Sequence, residues 1–295
     1  MENRVQNKIS FHLMVIALTF SVIACNSTEV PANPQADGGN SFAPKTPSIA
    51  SQALSKPAGM FPFYVTDSRG KQISFEEPAK KIVVLDSGAL DTLFSIGEWN
   101  RVVATHEFAS YPPQASNLPK VSDSFNINIE AIVELDPDLV FVFYETFVGD
   151  LENAGLKVLY LKSLGNNFEK TTDLIMMWGR ITGNTNAAEA ESKRFENRIQ
   201  AVRDTMSDME GGLKVFQDVG DLWTPGPDTL MGEVFELLKL ENIAHDISGY
   251  AQISPELIIE RDPDLILSLN PKSITTNSTL VNVTAVKNDR VIKPP

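Results

Sequence analysis

Cysteine is nearly absent. Among 295 residues there is one, Cys25, so the chain cannot close a disulfide within itself. Histidine is almost as scarce: three in all, of which only His106 and His245 lie beyond the first 25 residues. Basic residues number 25 against 38 acidic ones, a net charge of −13, and this argues against nucleic acid, whose phosphates require a basic surface. Long apolar runs are missing too; Phe11 to Ala24 is too short for a comfortable membrane span. Also absent are a Gly-x-Ser-x-Gly elbow, a His-Glu-x-x-His pair and a phosphate-cradling Gly-x-x-x-x-Gly-Lys loop. Carboxylates are abundant, which leaves a glycosidase-like acid pair as the enzymatic chemistry still open.

What is present begins with the amino terminus. Arg4 and Lys8 precede the apolar stretch, which ends Val22-Ile23-Ala24-Cys25. This resembles the bacterial lipoprotein signal, in which residues 1–24 are removed and the cysteine is acylated. A lipidated Cys25 would hold the protein outside the cytoplasm on a bacterial membrane, each buried CH₂ contributing roughly 0.8 kcal/mol. Residues 25–60 are rich in Ser, Pro and Asn and poor in aromatic and β-branched side chains. Such a segment buries too little apolar area to offset its ordering entropy and reads as a disordered stalk.

The most informative stretch occurs twice. Glu130-Ala-Ile-Val-Glu-Leu-Asp-Pro-Asp-Leu-Val140 returns as Glu256-Leu-Ile-Ile-Glu-Arg-Asp-Pro-Asp-Leu-Ile266, seven of eleven positions identical at an offset of 126. Asn128 and Ser254 are placed to cap a short helix, Pro255 suits a first helical turn, and each leading Glu sits where the helix dipole favours an anion. The Asp-Pro step stops the helix, and an apolar run of strand length follows. Two similar helix–strand units so far apart imply two similar lobes.

Around these units the chain alternates strands and helices, which predicts mostly parallel sheets with helices on their faces. A hairpin is expected over Phe63 to Phe75, a strand at Lys81 to Leu85, and a helix from Ala89 closed by Gly97. Residues 61–166 form the amino-terminal lobe. Residues 167–210 carry interdomain helices, the second with an apolar stripe at Phe195, Ile199, Val202, Met206 and Met209 that would pack on both lobes. Residues 211–295 form the carboxyl-terminal lobe, which ends abruptly after Arg290-Val291-Ile292 and so reads as reduced or truncated. The fold class is therefore α/β: two αβ lobes with central, mostly parallel sheets joined by one long interdomain helix.

Taken in order, Val65-Thr-Asp-Ser-Arg-Gly70, Lys81-Ile-Val-Val-Leu85, Tyr111-Pro-Pro-Gln114, both Asp-Pro-Asp-Leu units and Gly179-Arg-Ile-Thr-Gly183 resemble the substrate-binding proteins of ABC importers for iron-siderophores, haem and vitamin B12. The likeness runs from about Val65 to Val291. It implies a monomeric binding protein without catalysis or resident cofactor, holding a metal chelate (siderophore, haem or corrinoid) between its lobes and delivering it to an ABC permease dimer. It further implies that Glu130 and Glu256 dock on the permease, and that loop aromatics grip the ligand. Phe108, Tyr111, Phe125, Tyr144, Trp223 and Tyr250 are the candidates, with Glu145 beside them. Where B12-binding members have a tryptophan, this chain has Ser124. Two other readings stay open: a bare transition-metal ion clamped by His106 and His245, one from each lobe, and a sensor coupled to a receptor instead of a permease.

Overall fold

A computed structural model of the protein describes residues 61–123, 126–162 and 167–294. The expectations placed on residues 1–60, on Cys25 and on Phe125 lie outside the described residues.

The amino-terminal lobe opens with the hairpin β1 (Phe63–Thr66) and β2 (Gln72–Phe75). Its turn is organised by Asp67, whose Oδ1 accepts from the backbone N–H groups of Arg69 and Lys71. Arg69 and Lys71 reach Glu152 at 2.7 and 2.9 Å, pinning the hairpin to the lobe. These partners, Arg69 foremost, hold the Glu152 carboxyl down to about 2. The main sheet follows: β3 (Ile82–Val84), β4 (Val102–His106), β5 (Lys120–Ser122), β6 (Leu139–Val142) and β7 (Val158–Tyr160). All four pairings in this sheet are parallel, and the spatial order is β5-β4-β3-β6-β7. Helices α1 (Ser87–Ser95), α2 (Ile129–Glu134) and α3 (Val148–Asn153) make the crossovers. Strands covered on both faces must be apolar throughout, and β3, β6 and β7 are buried at every residue.

Two helices then run between the lobes. In α4 (Phe168–Thr182), Ile175, Trp178 and Ile181 join the amino-terminal core, and Trp178 meets Phe141 edge-on at 5.1 Å. Helix α5 (Thr185–Met206) packs against α4. A Cβ on Gly179 would come within 2.3 Å of the Ala188 Cβ, so glycine is what lets the two helices approach. The apolar stripe on α5 divides as its spacing predicts: Phe195 lies against the amino-terminal core, and Val202 and Met206 are part of the carboxyl-terminal one. Met209 also reaches that second core, from just beyond the helix end.

The carboxyl-terminal lobe repeats the plan with β8 (Leu213–Asp218), α6 (Leu230–Leu237), β10 (Leu240–Asn242), α7 (Pro255–Arg261) and β12 (Leu265–Ser268). Helices α8 (Pro271–Thr275) and α9 (Thr284–Lys287) precede β13 (Val291–Ile292). Its sheet, ordered β10-β8-β12-β13, is also wholly parallel. One element was not foreseen. β9 (Trp223–Pro225) and β11 (Tyr250–Gln252), read as plain loops from the sequence, pair as an antiparallel ribbon. Three-residue strands, one of them ending in proline, carry no period-2 signal to detect.

The duplicated unit is built the same way in both lobes. Asn128 accepts from the Ala131 N–H at 3.0 Å, and Ser254 from the Leu257 N–H at 3.3 Å. Asp136 and Asp262, before their prolines, turn left-handed (φ 47° and 43°), a conformation that aspartate tolerates. The second Asp of each motif then ties the unit to the first strand of its sheet. Asp138 Oδ2 accepts from the Lys80 and Lys81 N–H groups, and Asp264 Oδ2 from the Lys214 N–H. The lysine side chains return the tie, Lys81 Nζ to the Leu135 carbonyl and Lys214 Nζ to the Arg261 carbonyl.

Candidate functional site

In each sheet the first strand is interior: β3 lies between β4 and β6, and β8 between β10 and β12. The order reverses between β3 and β6, and again between β8 and β12. Crossovers leave in opposite directions at such a point, so a crevice opens beyond the carboxyl ends of the strands. The amino-terminal lobe has a cavity there, with an empty volume of about 620 Å³, part of it open to solvent.

Its walls come from four strand ends. Leu85, Asp86 and Ser87 follow β3, and His106 with Phe108 comes from the end of β4. Ser122 ends β5 and Asp123 follows it; Val142 ends β6, and Phe143, Tyr144 and Phe147 stand beyond it. The aromatics after β6 brace one another. Phe143 and Tyr144 have ring centroids 4.0 Å apart, and Phe147 meets Tyr144 edge-on at 6.3 Å. Phe108 and Tyr144 nevertheless keep 64% and 46% of their surface exposed. Flat, water-facing rings on a braced platform suit an extended conjugated ligand.

The polar groups of this cavity are few and placed. Asp86 caps α1, accepting from the Ala89 N–H at 2.7 Å, and burial pushes its carboxyl up to about 6. His106 Nε2 lies 3.1 Å from Ser87 Oγ. Burial, and secondarily the Lys120 charge, lowers the His106 pKa and so favours the neutral imidazole.

The carboxyl-terminal lobe uses its corresponding strand end differently. Asp218, the last residue of β8, is buried. Its Oδ1 accepts from the Gly220 and Leu222 N–H groups, each at 3.0 Å, and its Oδ2 accepts from Ser268 Oγ at 2.6 Å. That carboxylate shapes the loop leading into the β9–β11 ribbon, where Trp223 and Tyr250 are 45% and 54% exposed. Leu269, just past β12, is exposed as well.

Of the six aromatics singled out from the sequence, Phe108 and Tyr144 line the amino-terminal cavity. Trp223 and Tyr250 share the ribbon of the other lobe, while Phe125 is outside the described residues. Tyr111 is not part of the cavity wall; its ring packs edge-on against Phe94 at 6.2 Å. Glu145 is exposed and hydrogen-bonds Tyr160. His245 is exposed beside Asp246 and does not line the cavity that holds His106. Among the described residues there is no group of three or more His, Cys, Asp or Glu side chains able to hold a metal ion. Sequence reasoning missed Asp86, Ser87, Phe143 and Phe147. The one available signal was an Asp directly after a buried strand and three residues before a helical alanine.

Glu130 and Glu256 are both exposed in the first turns of α2 and α7. No ion pair involves either of them among the described residues. The Glu256 carboxyl is held below its usual range by its own backbone N–H and by Ser254.

The sequence pattern of the family described as "Periplasmic binding protein" matches residues 82–295. A cobalamin-binding protein of Halobacterium salinarum is 31% identical over 282 residues, covering 86% of this chain and 75% of its own. The uncharacterized ABC transporter substrate-binding lipoprotein YvrC of Bacillus subtilis is 26% identical, covering 79% of this chain and 78% of its own. Among solved structures, the periplasmic vitamin B12 binding protein BtuF of Vibrio cholerae superposes with a TM-score of 0.63 at 24% identity. That match covers 72% of this chain and 87% of that one.

Proposed function

The chain belongs to the periplasmic binding protein family, and from that premise we propose that it captures a bulky metal chelate outside the cytoplasm and hands it to an ABC importer. A cobalamin-type corrinoid is the first candidate for the ligand; haem and ferric siderophores are the others. The observation that carries this reading is the cavity at the β3/β6 reversal with Phe108 and Tyr144 at its rim. It occurs in a chain whose Halobacterium relative is a cobalamin-binding protein. In this reading Trp223 and Tyr250 supply the opposing aromatic surface from the second lobe. Aromatic faces on both sides of a planar macrocycle remove it from water with few directional demands. Asp86, Ser87 and His106 provide the small number of polar groups that orient such a ligand.

The delivery step assigns the docking contacts to Glu130 and Glu256. A carboxylate on each lobe, exposed and available, makes a charge-assisted hydrogen bond to an arginine and fixes the orientation of approach. Cys25 is assigned the lipid anchor, and residues 25–60 the tether that gives the lobes their reach.

The test is a titration of the purified protein, followed by its tryptophan fluorescence, with cyanocobalamin, haemin and ferric siderophores in parallel. Saturable quenching at one equivalent by one of the three supports the reading. Absence of binding by all three, with saturable binding of zinc or manganese instead, would replace it with a bare-ion carrier.

A further inference from the structure

The duplicated helices carry a feature that neither stability nor ligand capture requires. Val133 on α2 and Ile259 on α7 are 45% and 40% exposed, two of the few large apolar side chains left open to water among the described residues. They are the same position of the repeat, 126 residues apart. Their predecessors Ile132 and Ile258 are fully buried, so each helix already spends one aliphatic on its core and leaves the next one outside. The companions on the exposed face also recur. Glu130 and Glu134 flank Val133, and Glu256 and Glu260 flank Ile259, all four exposed. Residues at i, i+3 and i+4 lie on one helix face, and two like charges at i, i+4 weaken an isolated helix. An open aliphatic between repelling carboxylates is unfavourable twice over for the free protein, and it is present in both lobes.

We propose that each lobe presents an acid–aliphatic–acid ridge, and that Val133 and Ile259 are apolar anchors of the contact with the importer. The proposal rests on the transport reading above and extends it from the two carboxylates to the side chains between them. The occupant is a membrane protein offering two similar surfaces. Each would have a guanidinium or ammonium group beside an apolar depression that accepts one β-branched side chain. Charge complementarity selects it, since the ridge is acidic at both ends of each anchor and the chain as a whole carries −13. The pedestals are built to present the ridges in a fixed setting. Each helix is capped, stopped by a left-handed Asp, and tied to the first strand of its sheet by equivalent Asp and Lys contacts. A buried apolar anchor ringed by polar contacts is how binding energy concentrates at an interface, while the flanking charges set approach and register.

The experiment measures binding of the purified protein to each ABC permease–ATPase complex of the source cells, held in nanodiscs. Wild type is compared with Val133→Ser/Ile259→Ser, with Glu130→Ala/Glu256→Ala, and with Tyr64→Ser, an exposed hydrophobic on β1 away from the repeat. The serine pair is expected to weaken binding at least tenfold with unchanged circular dichroism. The exchange Val133→Ile/Ile259→Val should stay within twofold of wild type, as should Tyr64→Ser. If the glutamate pair loses binding while the serine pair stays within twofold, the docking reading stands and the apolar anchors are refuted. If the wild-type protein binds none of the complexes, the transport reading fails and this inference fails with it.

Discussion

The two lobes share one plan and treat the end of their first strand in opposite ways. In the amino-terminal lobe, Asp86 caps α1 and helps line an open cavity. In the carboxyl-terminal lobe, Asp218 accepts from two backbone N–H groups and from Ser268, and so closes the loop that carries the β9–β11 ribbon. One lobe has a hollow, the other a ledge with Trp223 and Tyr250 on it. The wholly parallel sheets and the capped, Asp-tied pedestals are common to both lobes, while the ends of the first strands differ.

The comparison can be broken most decisively at the shared face. Glu130→Ala combined with Glu256→Ala should abolish uptake of the ligand in cells while leaving its affinity for the purified protein within twofold. A loss of affinity instead would place these carboxylates in the ligand site. The divergent strand ends give the next largest effect. Asp218→Ala strands two backbone donors and a hydroxyl in a buried setting and should cost about 3 kcal/mol of stability in a denaturant titration. Asp86→Ala removes a helix cap and should cost only about 1 kcal/mol. Equal costs would mean that the hollow and the ledge are not built by these two carboxylates.

A smaller effect sets the amino-terminal lobe apart through its contact with the bridge. Asp91 on α1 is pushed up to about 7 by burial and by the Glu191 charge on α5, with Arg194 opposing, and its Oδ1 has no hydrogen-bond partner among the described residues. A carboxyl whose folded pKa lies above its unfolded value of 3.8 contributes stability that is fully present below about pH 4. That contribution is lost as the pH rises through 7. Asp91→Asn should therefore flatten the pH dependence, matching wild type near pH 4 and exceeding it by about 1–2 kcal/mol near pH 8 after discounting for solvent screening. Parallel wild-type and variant curves across that range would show that Asp91 does not titrate there.

Much of this architecture was legible because it is local or repeated. The Glu130 and Glu256 units announced two lobes by their identity, and the stripe from Phe195 to Met206 announced a helix with two cores to serve. The hairpin at β1–β2 could be read from the Asp-Ser-Arg-Gly turn. The site was harder. Phe143 and Phe147 look like any apolar residues after a strand, and only the order β5-β4-β3-β6-β7 brings them beside Ser87 and His106. Tyr111 and Tyr144 look alike in sequence, yet one packs on Phe94 and the other stands open at the cavity. The left-handed turn at Asp136 and Asp262 was legible only as a helix stop, since proline restricts the preceding residue without dictating its sign of φ.

The most direct measurement is a calorimetric titration of cyanocobalamin into wild type, Phe108→Ala and Trp223→Ala. One site per chain is expected, with a loss of about ten- to a hundredfold in affinity for each substitution, the worth of one aromatic face at roughly 1–3 kcal/mol. Binding that survives Trp223→Ala unchanged while Phe108→Ala abolishes it would confine the ligand to one lobe and contradict the two-lobed grip.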